Sequence, residues 1–551
     1  MGPHRYFSLV LHSHIPYVLD HGSWPHGMDW LYEAAAESYL PLLGVFDRLA
    51  AEGIAPQVNI SFTPVLMAQL REPTFVRGFD RYLRMKAEIA DADGAFFRKT
   101  GDPRTPLAAF WGDWYRGLLH EFTERFQGDI IGGFRTLQDG DQLEVLTSAA
   151  THGYFPLLKN DASIRHQALQ GHHVYRRFFD RDPRGFWIPE CAYRPAYSWR
   201  PPLGEDKPYP RLGVDEILSG EGYRYFFVDS HLLKGGEARG VYIDRFPGLK
   251  LLWEKFRKEY RPAHTHPGDP YAGYLAFPSN LPFFVRDEVS GSQVWSRQMG
   301  YPGEGAYLEF HKKHFPGGMR YWRITSGGSD LATKEVYDPV RAAEHLEGHA
   351  SHFVSVVEES LKGRESGVVV ALYDTELFGH WWFEGPEWLY RTIKRLARSS
   401  VRPLTASGCL ENLPPIDIVS LPEGSWGQGG FHWIWLNEET SWIWKNIYRI
   451  EEAEAGIRPR AAALDRRVLK QFYREKFLLE SSDWPFLIST WTARDYAENR
   501  AAEHYSRALE LAGWLGGGRG LGAPEQARLQ VYENEDGLFE EIAMLDGSVV
   551  A

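Results

Sequence analysis

The chain has 551 residues, 43% of them hydrophobic and 24% charged, enough for two or three domains with sizeable cores. A net charge of −12 excludes a protein built to track phosphate backbones, so no nucleic-acid partner is expected and a neutral substrate is favoured. No run approaches the ~20 apolar residues of a membrane helix, and FSLVL before His12 is too short for a signal peptide. A cytoplasmic protein with no membrane partner is the expectation.

The chain opens with RYFSLVLHSHIPYV, which reads as a strand ending in polar residues. WLYEAAAESYLPLLGVFDRLAAEG has helical periodicity, and QVNISFTP reads as a second strand. That alternation marks a parallel sheet with crossover helices. Long amphipathic runs between about residues 75 and 133 predict a helical insertion. Strands resume at LEVLTSAATHGYF, RGFWIPECAY and YRYFFVDSH. The stretch from about 235 to 276, rich in Gly, Pro and Tyr, predicts an active-site lid loop. YLAFPSNLPFFVRDEV and GVVVALYDTELFGH complete about seven strand candidates, which favours a barrel over an open sheet. A catalytic unit over 1–401 is therefore expected, followed by a helical domain over 402–520 and a mobile acidic tail over 521–551.

In a parallel barrel, chemistry sits where strands run into loops. Those positions hold His12, His14, His152, Glu190, Asp229, His231, Arg286, Asp287 and Asp374. Two carboxylates across a barrel mouth suit glycosidic bond cleavage, in which one attacks the sugar and the other gives and takes a proton. Glu190 lies between Trp187 and Tyr193, and Asp374 precedes a turn containing His380, Trp381 and Trp382. Aromatic faces match the apolar faces of pyranose rings, so the 20 tryptophans and the acid pair fit one explanation. The HxH of the first strand also suits a metal-dependent amidohydrolase, but later strand ends supply Glu190 and Arg286 in place of further ligands. Two cysteines, Cys191 and Cys409, provide neither a disulfide framework nor a four-thiolate metal site. Arg286 is either an ion-pair partner for a catalytic carboxylate at the substrate site or a structural arginine. Asp483 is either a helix cap or, with Trp484, part of the groove.

HSHIPY, TSAATH, WIPECAY and YDTELFGHWWFEG, in that order, resemble the signature segments of glycoside hydrolase family 57. AESYLPLL, WSRQMGYPG, SWGQGGFHWIWLN and LLESSDWPFLI resemble more narrowly that family's glycogen branching enzymes. The resemblance runs from about residue 5 to residue 510. It implies an α/β fold, an incomplete (β/α)7 barrel with an inserted helical subdomain and a C-terminal helical domain. It implies a retaining double displacement with Glu190 as nucleophile and Asp374 as general acid/base, with no metal or other cofactor. An α-1,4-glucan would be donor and acceptor, cut and rejoined through a 6-hydroxyl; α-amylase or 4-α-glucanotransferase activity is the alternative on this scaffold. Histidines matching His12, His14 and His152 line the donor subsite in such enzymes, and Trp30, Trp295, Trp426 and Trp435 match tryptophans of the glucan groove. Asp483 and Trp484 match a segment that approaches that groove. A lid-loop tyrosine favours sugar over water as acceptor, and Tyr242 is the candidate here. Trp187, His380, Trp382 and Arg286 complete the expected substrate-binding set.

Overall fold

The computed structural model describes residues 4–235, 246–256, 268–296, 300–517 and 520–551. Seven parallel strands form its centre: β1 (His4–Ser13), β2 (Asn59–Phe62), β3 (Glu144–Ser148), β4 (Gly185–Trp187), β5 (Tyr225–Val228), β6 (Leu281–Val285) and β7 (Ser366–Asp374). Their spatial order is β7-β1-β2-β3-β4-β5-β6. Among the described residues no ladder joins β6 to β7; the seam is spanned by backbone bonds from Asp287 N–H to Val370 O at 2.8 Å and from Val368 N–H to Tyr271 O at 2.9 Å. The barrel is thus incomplete. Strands such as β1 and β7 are buried on both faces, which is why they read as near-continuous apolar runs.

The YLAFPSNLPFFV run is not one strand. Tyr274–Ala276 folds back antiparallel on β6, and Ile418–Val419 pairs outside it. Arg402–Pro403 pairs with β1. The expected boundary at 402 therefore falls inside the sheet, and the long helices begin only at α7, introduced below.

Between β2 and β3 lies a helical excursion whose longest members are α1 (Pro73–Thr100) and α2 (Thr105–His120). Proline starts α1, where its missing N–H costs nothing, and Gly101 at φ 65° ends it in the left-handed conformation that glycine adopts freely. Further on, α3 (Asp161–Phe179), α4 (Pro247–Phe256), α5 (Pro339–Ser360) and α6 (Gly385–Leu396) flank the strands. Helix α4 lies within the segment expected to be an aperiodic lid; Leu249 and Trp253 are buried. Tyr242 lies outside the described residues.

The C-terminal region packs α7 (Ser441–Ile457), α8 (Arg466–Leu479), α9 (Asp483–Thr490) and α10 (Arg494–Gly516). The expected mobile tail is instead ordered, with α11 (Ala523–Glu535) and a hairpin pairing Ile542–Ala543 with Val549–Val550. Leu538, Phe539, Ile542 and Met544 are buried, and Asp536 is fully enclosed. Counting charges along the tail hid those apolar anchors. Among the described residues no helix is long and apolar enough to cross a membrane.

Candidate active site

Parallel register aligns the strand ends that matter. His12 on β1 lies opposite Asp374 on β7 and opposite Ser61 on β2. A cleft of about 430 Å3 opens at this end of the barrel, and its lining includes His12, His14, Trp30, His152, Glu190, Trp295, Asp374, His380, Trp426 and Asp483. The two carboxyls singled out in the sequence therefore share one cavity.

Glu190 follows β4 in a tight turn, with φ 59° at Glu190 and 46° at Cys191. A non-glycine residue in this region costs on the order of 1–3 kcal/mol, so the surroundings must hold it there. They do so through loop 424–426. Gly424 and Tyr193 exchange backbone bonds of 2.8 and 3.0 Å, and Trp426 N–H donates to Glu190 O at 3.0 Å. The Trp426 indole then donates to Glu190 Oε2 at 2.6 Å. Burial pushes the Glu190 carboxyl up to about 8, against the pull of that indole, with the charges of Asp374 and Asp483 adding to the rise.

The histidines form one wall of the cleft. His12 Nε2 meets His152 Nε2 at 3.0 Å, while their other nitrogens meet Ser61 Oγ at 3.1 Å and Ser482 Oγ at 2.8 Å. Burial holds both rings well below the usual histidine range, aided by repulsion from His14 on each and from His152 on His12, so both are neutral and suited to sugar hydroxyls. His14 stacks on His152 at 4.1 Å and contacts Asp483 Oδ2 at 2.8 Å. Burial would raise the Asp483 carboxyl, but His14 beside it holds it below its ordinary value. His14, His152 and Asp483 present ligand atoms within 4.8 Å of one another, the one such grouping in the cleft among the described residues.

The YDTELFGHWWFEG turn divides its labour. Gly379 sits at φ 109° against the helical turn Ala35–Tyr39, where a Cβ would lie 1.7 Å from Glu37 O. That close approach brings His380 Nδ1 to Glu37 Oε2 at 2.7 Å, and Arg320 holds the other oxygen at 2.6 Å. Glu376 also lines the cleft. It accepts from the Tyr39 hydroxyl and from His14 N–H, and burial followed by the charge of Asp374 raises it to about 8.

Several expected contact residues stand behind the cleft instead. Trp187 is fully buried and stacks on His12 at 4.5 Å, so it orients that ring. Trp382 is buried against Trp388 and Tyr307. Trp435 stacks on Tyr154 at 4.3 Å in the core, and Trp484 donates to Leu478 O at 2.7 Å beneath the cleft wall. Arg286 pairs with Asp229 at 3.0 Å, not with either proposed catalytic carboxyl; burial would raise the Asp229 carboxyl, but that guanidinium, with His231, holds it well below the usual range. Trp and Arg in a motif do not announce which face they turn. Conversely, Glu376, Phe246, Phe310, Phe486 and the half-exposed Trp381 line the cleft and were absent from the expected set. Of these, Glu376 and Trp381 carried a sequence signal, since both lie in the acid- and Trp-rich turn after Asp374.

Known proteins resemble this chain along nearly its whole length. The model of Glycosyl hydrolase family 57 matches residues 8–422, and that of 1,4-alpha-glucan branching enzyme, C-terminal, matches 445–546. A 1,4-alpha-glucan branching enzyme of Thermococcus kodakarensis is 40% identical over 98% of this chain and 78% of its own length. Its crystal structure, in complex with glucose and additives, superposes with a TM-score of 0.87 over 97% of this chain and 95% of that one. A branching enzyme of Pyrococcus horikoshii superposes at 0.85, with 38% identity over 98% and 96% of the two chains. The alpha-amylase AmyC of Thermotoga maritima superposes at 0.79, with 30% identity over 97% of each chain. A family match that spans most of the barrel, with relatives this similar along nearly the whole length, means that the chain belongs to glycosyl hydrolase family 57.

Proposed function

We propose that this chain is a 1,4-α-glucan branching enzyme acting by retaining double displacement. Two strand-end carboxyls in one aromatic cleft, in a chain matched at both ends by branching-enzyme relatives, carry this reading. Asp374 protonates the glycosidic oxygen while Glu190 attacks the anomeric carbon, which gives a glycosyl-enzyme and frees the reducing-end chain. Asp374 then takes the proton of an incoming 6-hydroxyl, whose oxygen displaces Glu190 and forms the α-1,6 bond. His12, His14 and His152 line the sugar site as neutral or paired hydrogen-bonding groups, and Trp30, Trp295, Trp426 and Trp381 offer ring faces.

Incubation with amylose, followed by debranching and chain counting, tests this. New α-1,6 linkages with little reducing sugar are expected. Abundant reducing ends without branches would instead favour hydrolysis, a second reading that the likeness to the Thermotoga amylase keeps open.

The nucleophile must be ionised, and burial works against that. Protonation of Asp374 removes one of the two carboxylate charges that push Glu190 up, so the productive form places the proton on Asp374. The Trp426 indole at 2.6 Å favours the Glu190 carboxylate. Trp426→Phe removes that donor and raises the Glu190 pKa further. The ascending limb of kcat/KM against pH should therefore move up by about one unit. An unmoved limb would remove Trp426 from this role.

A further inference from the structure

The segment 423–436 has two faces. One presents Trp426 to Glu190 in the catalytic cleft. The other borders a separate cavity of about 400 Å3 that shares no lining residue with the cleft. Aromatic rings form its walls. Tyr197 and Phe431 are 41% and 46% exposed, and Trp433 stacks on Trp253 at 5.8 Å. Exposed rings gathered at one cavity mark a binding surface more often than chance scatter does.

Polar groups are interleaved with those rings. The Glu423 carboxylate accepts from the Tyr197 hydroxyl and lies 2.8 Å from His432 Nε2, while Arg200 stands at the rim. His432 is locked on its other side by the Tyr154 hydroxyl at 2.9 Å. A purely apolar ligand would strip water from Glu423 without replacing its hydrogen bonds. A polyanion would meet the same carboxylate. A ring with an apolar face and a hydroxyl edge satisfies both parts of the wall.

This cavity is also continuous with the catalytic machinery through two elements. Helix α4 and the residue before it place Phe246 in the cleft and Trp253 in the cavity. Gly429, at φ 79°, lies so close to Trp253 that a Cβ would sit 2.4 Å from its ring. We propose that the Tyr197–Phe431–Trp433 cavity is a second α-glucan-binding site, which holds one part of a chain while another part occupies the catalytic cleft. The identity of the sugar rests on the branching reading above. Tethering at a second point raises the effective concentration of chain at the first.

Calorimetric titration of maltoheptaose into the full-length Glu190→Gln chain tests the site. Two binding sites per chain are expected. Adding Tyr197→Ala and Phe431→Ala should leave one, with the other weakened about tenfold or more. On the otherwise native chain the same pair should raise KM for amylose about tenfold, and Phe431→Tyr should restore it; a folding defect would lower kcat instead. One site in the Glu190→Gln chain, or two undiminished sites after the ring removals, overturns the proposal. Two sites in a chain that makes no α-1,6 linkages would keep this site and remove the branching reading.

Discussion

Glu190→Gln should lower turnover on amylose by about 10⁴-fold or more, the loss typical when a covalent nucleophile is removed. The substitution is nearly isosteric, and the amide oxygen can still accept the Trp426 indole that now sits 2.6 Å away. Loop 424–426 should therefore keep its place, and glucan should still bind. Stability supplies a control. The folded chain raises the Glu190 carboxyl to about 8, well above its unfolded value, so the native state binds more protons than the unfolded one. Glu190 thus costs stability as the pH rises from about 4 to about 8. The glutamine variant should be at least as stable as the native chain, with its advantage growing across that window. Robust turnover in this variant would refute the nucleophile assignment; lost turnover with a lowered melting point would point to misfolding instead.

The barrel was legible because a parallel strand buried on both faces has little freedom in composition. GVVVALYD could be little else, and the polar residue ending such a run is where loops and chemistry begin. Glu190, Asp374 and the three histidines were found by that logic together with the family motifs. What the sequence hid is direction. Trp381 and Trp382 are adjacent, yet one is 38% exposed on Phe310 and the other is buried against Trp388. Trp426 and Trp435 lie in one motif, yet only the first reaches the cleft. Loop segments have no fixed period to assign a face, so their side chains follow tertiary packing. His380 shows the same limit, since its partner Glu37 lies 343 residues away in the chain.

A chain ending at Leu521 should fail to reach a stable fold, although the removed residues look in sequence like a dispensable acidic tail. Asp536 contacts His21 at 2.8 Å and pairs with Arg507, and Arg500 lies 3.9 Å from it. Arg474 donates to Phe539 O at 2.7 Å, and His166 meets Ala543 O at 2.8 Å. All of these partners except the half-buried His21 are buried in the full chain. Removing one member of a buried ion pair costs about 3–5 kcal/mol, and each orphaned buried polar group about 1–3 kcal/mol more. Together these approach the ~5–15 kcal/mol that holds a typical native domain. Asp536→Asn is the milder probe and should cost about 3–5 kcal/mol in denaturant unfolding at neutral pH. Burial would raise the Asp536 carboxyl, but His504, His21 and Arg500 hold it well below the ordinary range. The native state then binds fewer protons than the unfolded chain, so the stabilisation is present above about pH 4 and lost as the pH falls. The gap between native and Asp536→Asn chains should narrow in acid. The same contacts reach the active site. His21, and Tyr17 O, which accepts from Arg500 at 2.8 Å, belong to the loop whose Ile15, Pro16 and His26 line the cleft. Asp536→Asn should therefore raise KM for amylose as well as weaken the fold. A truncated chain that melts with the full-length one would show that the tail only rests on the bundle it covers.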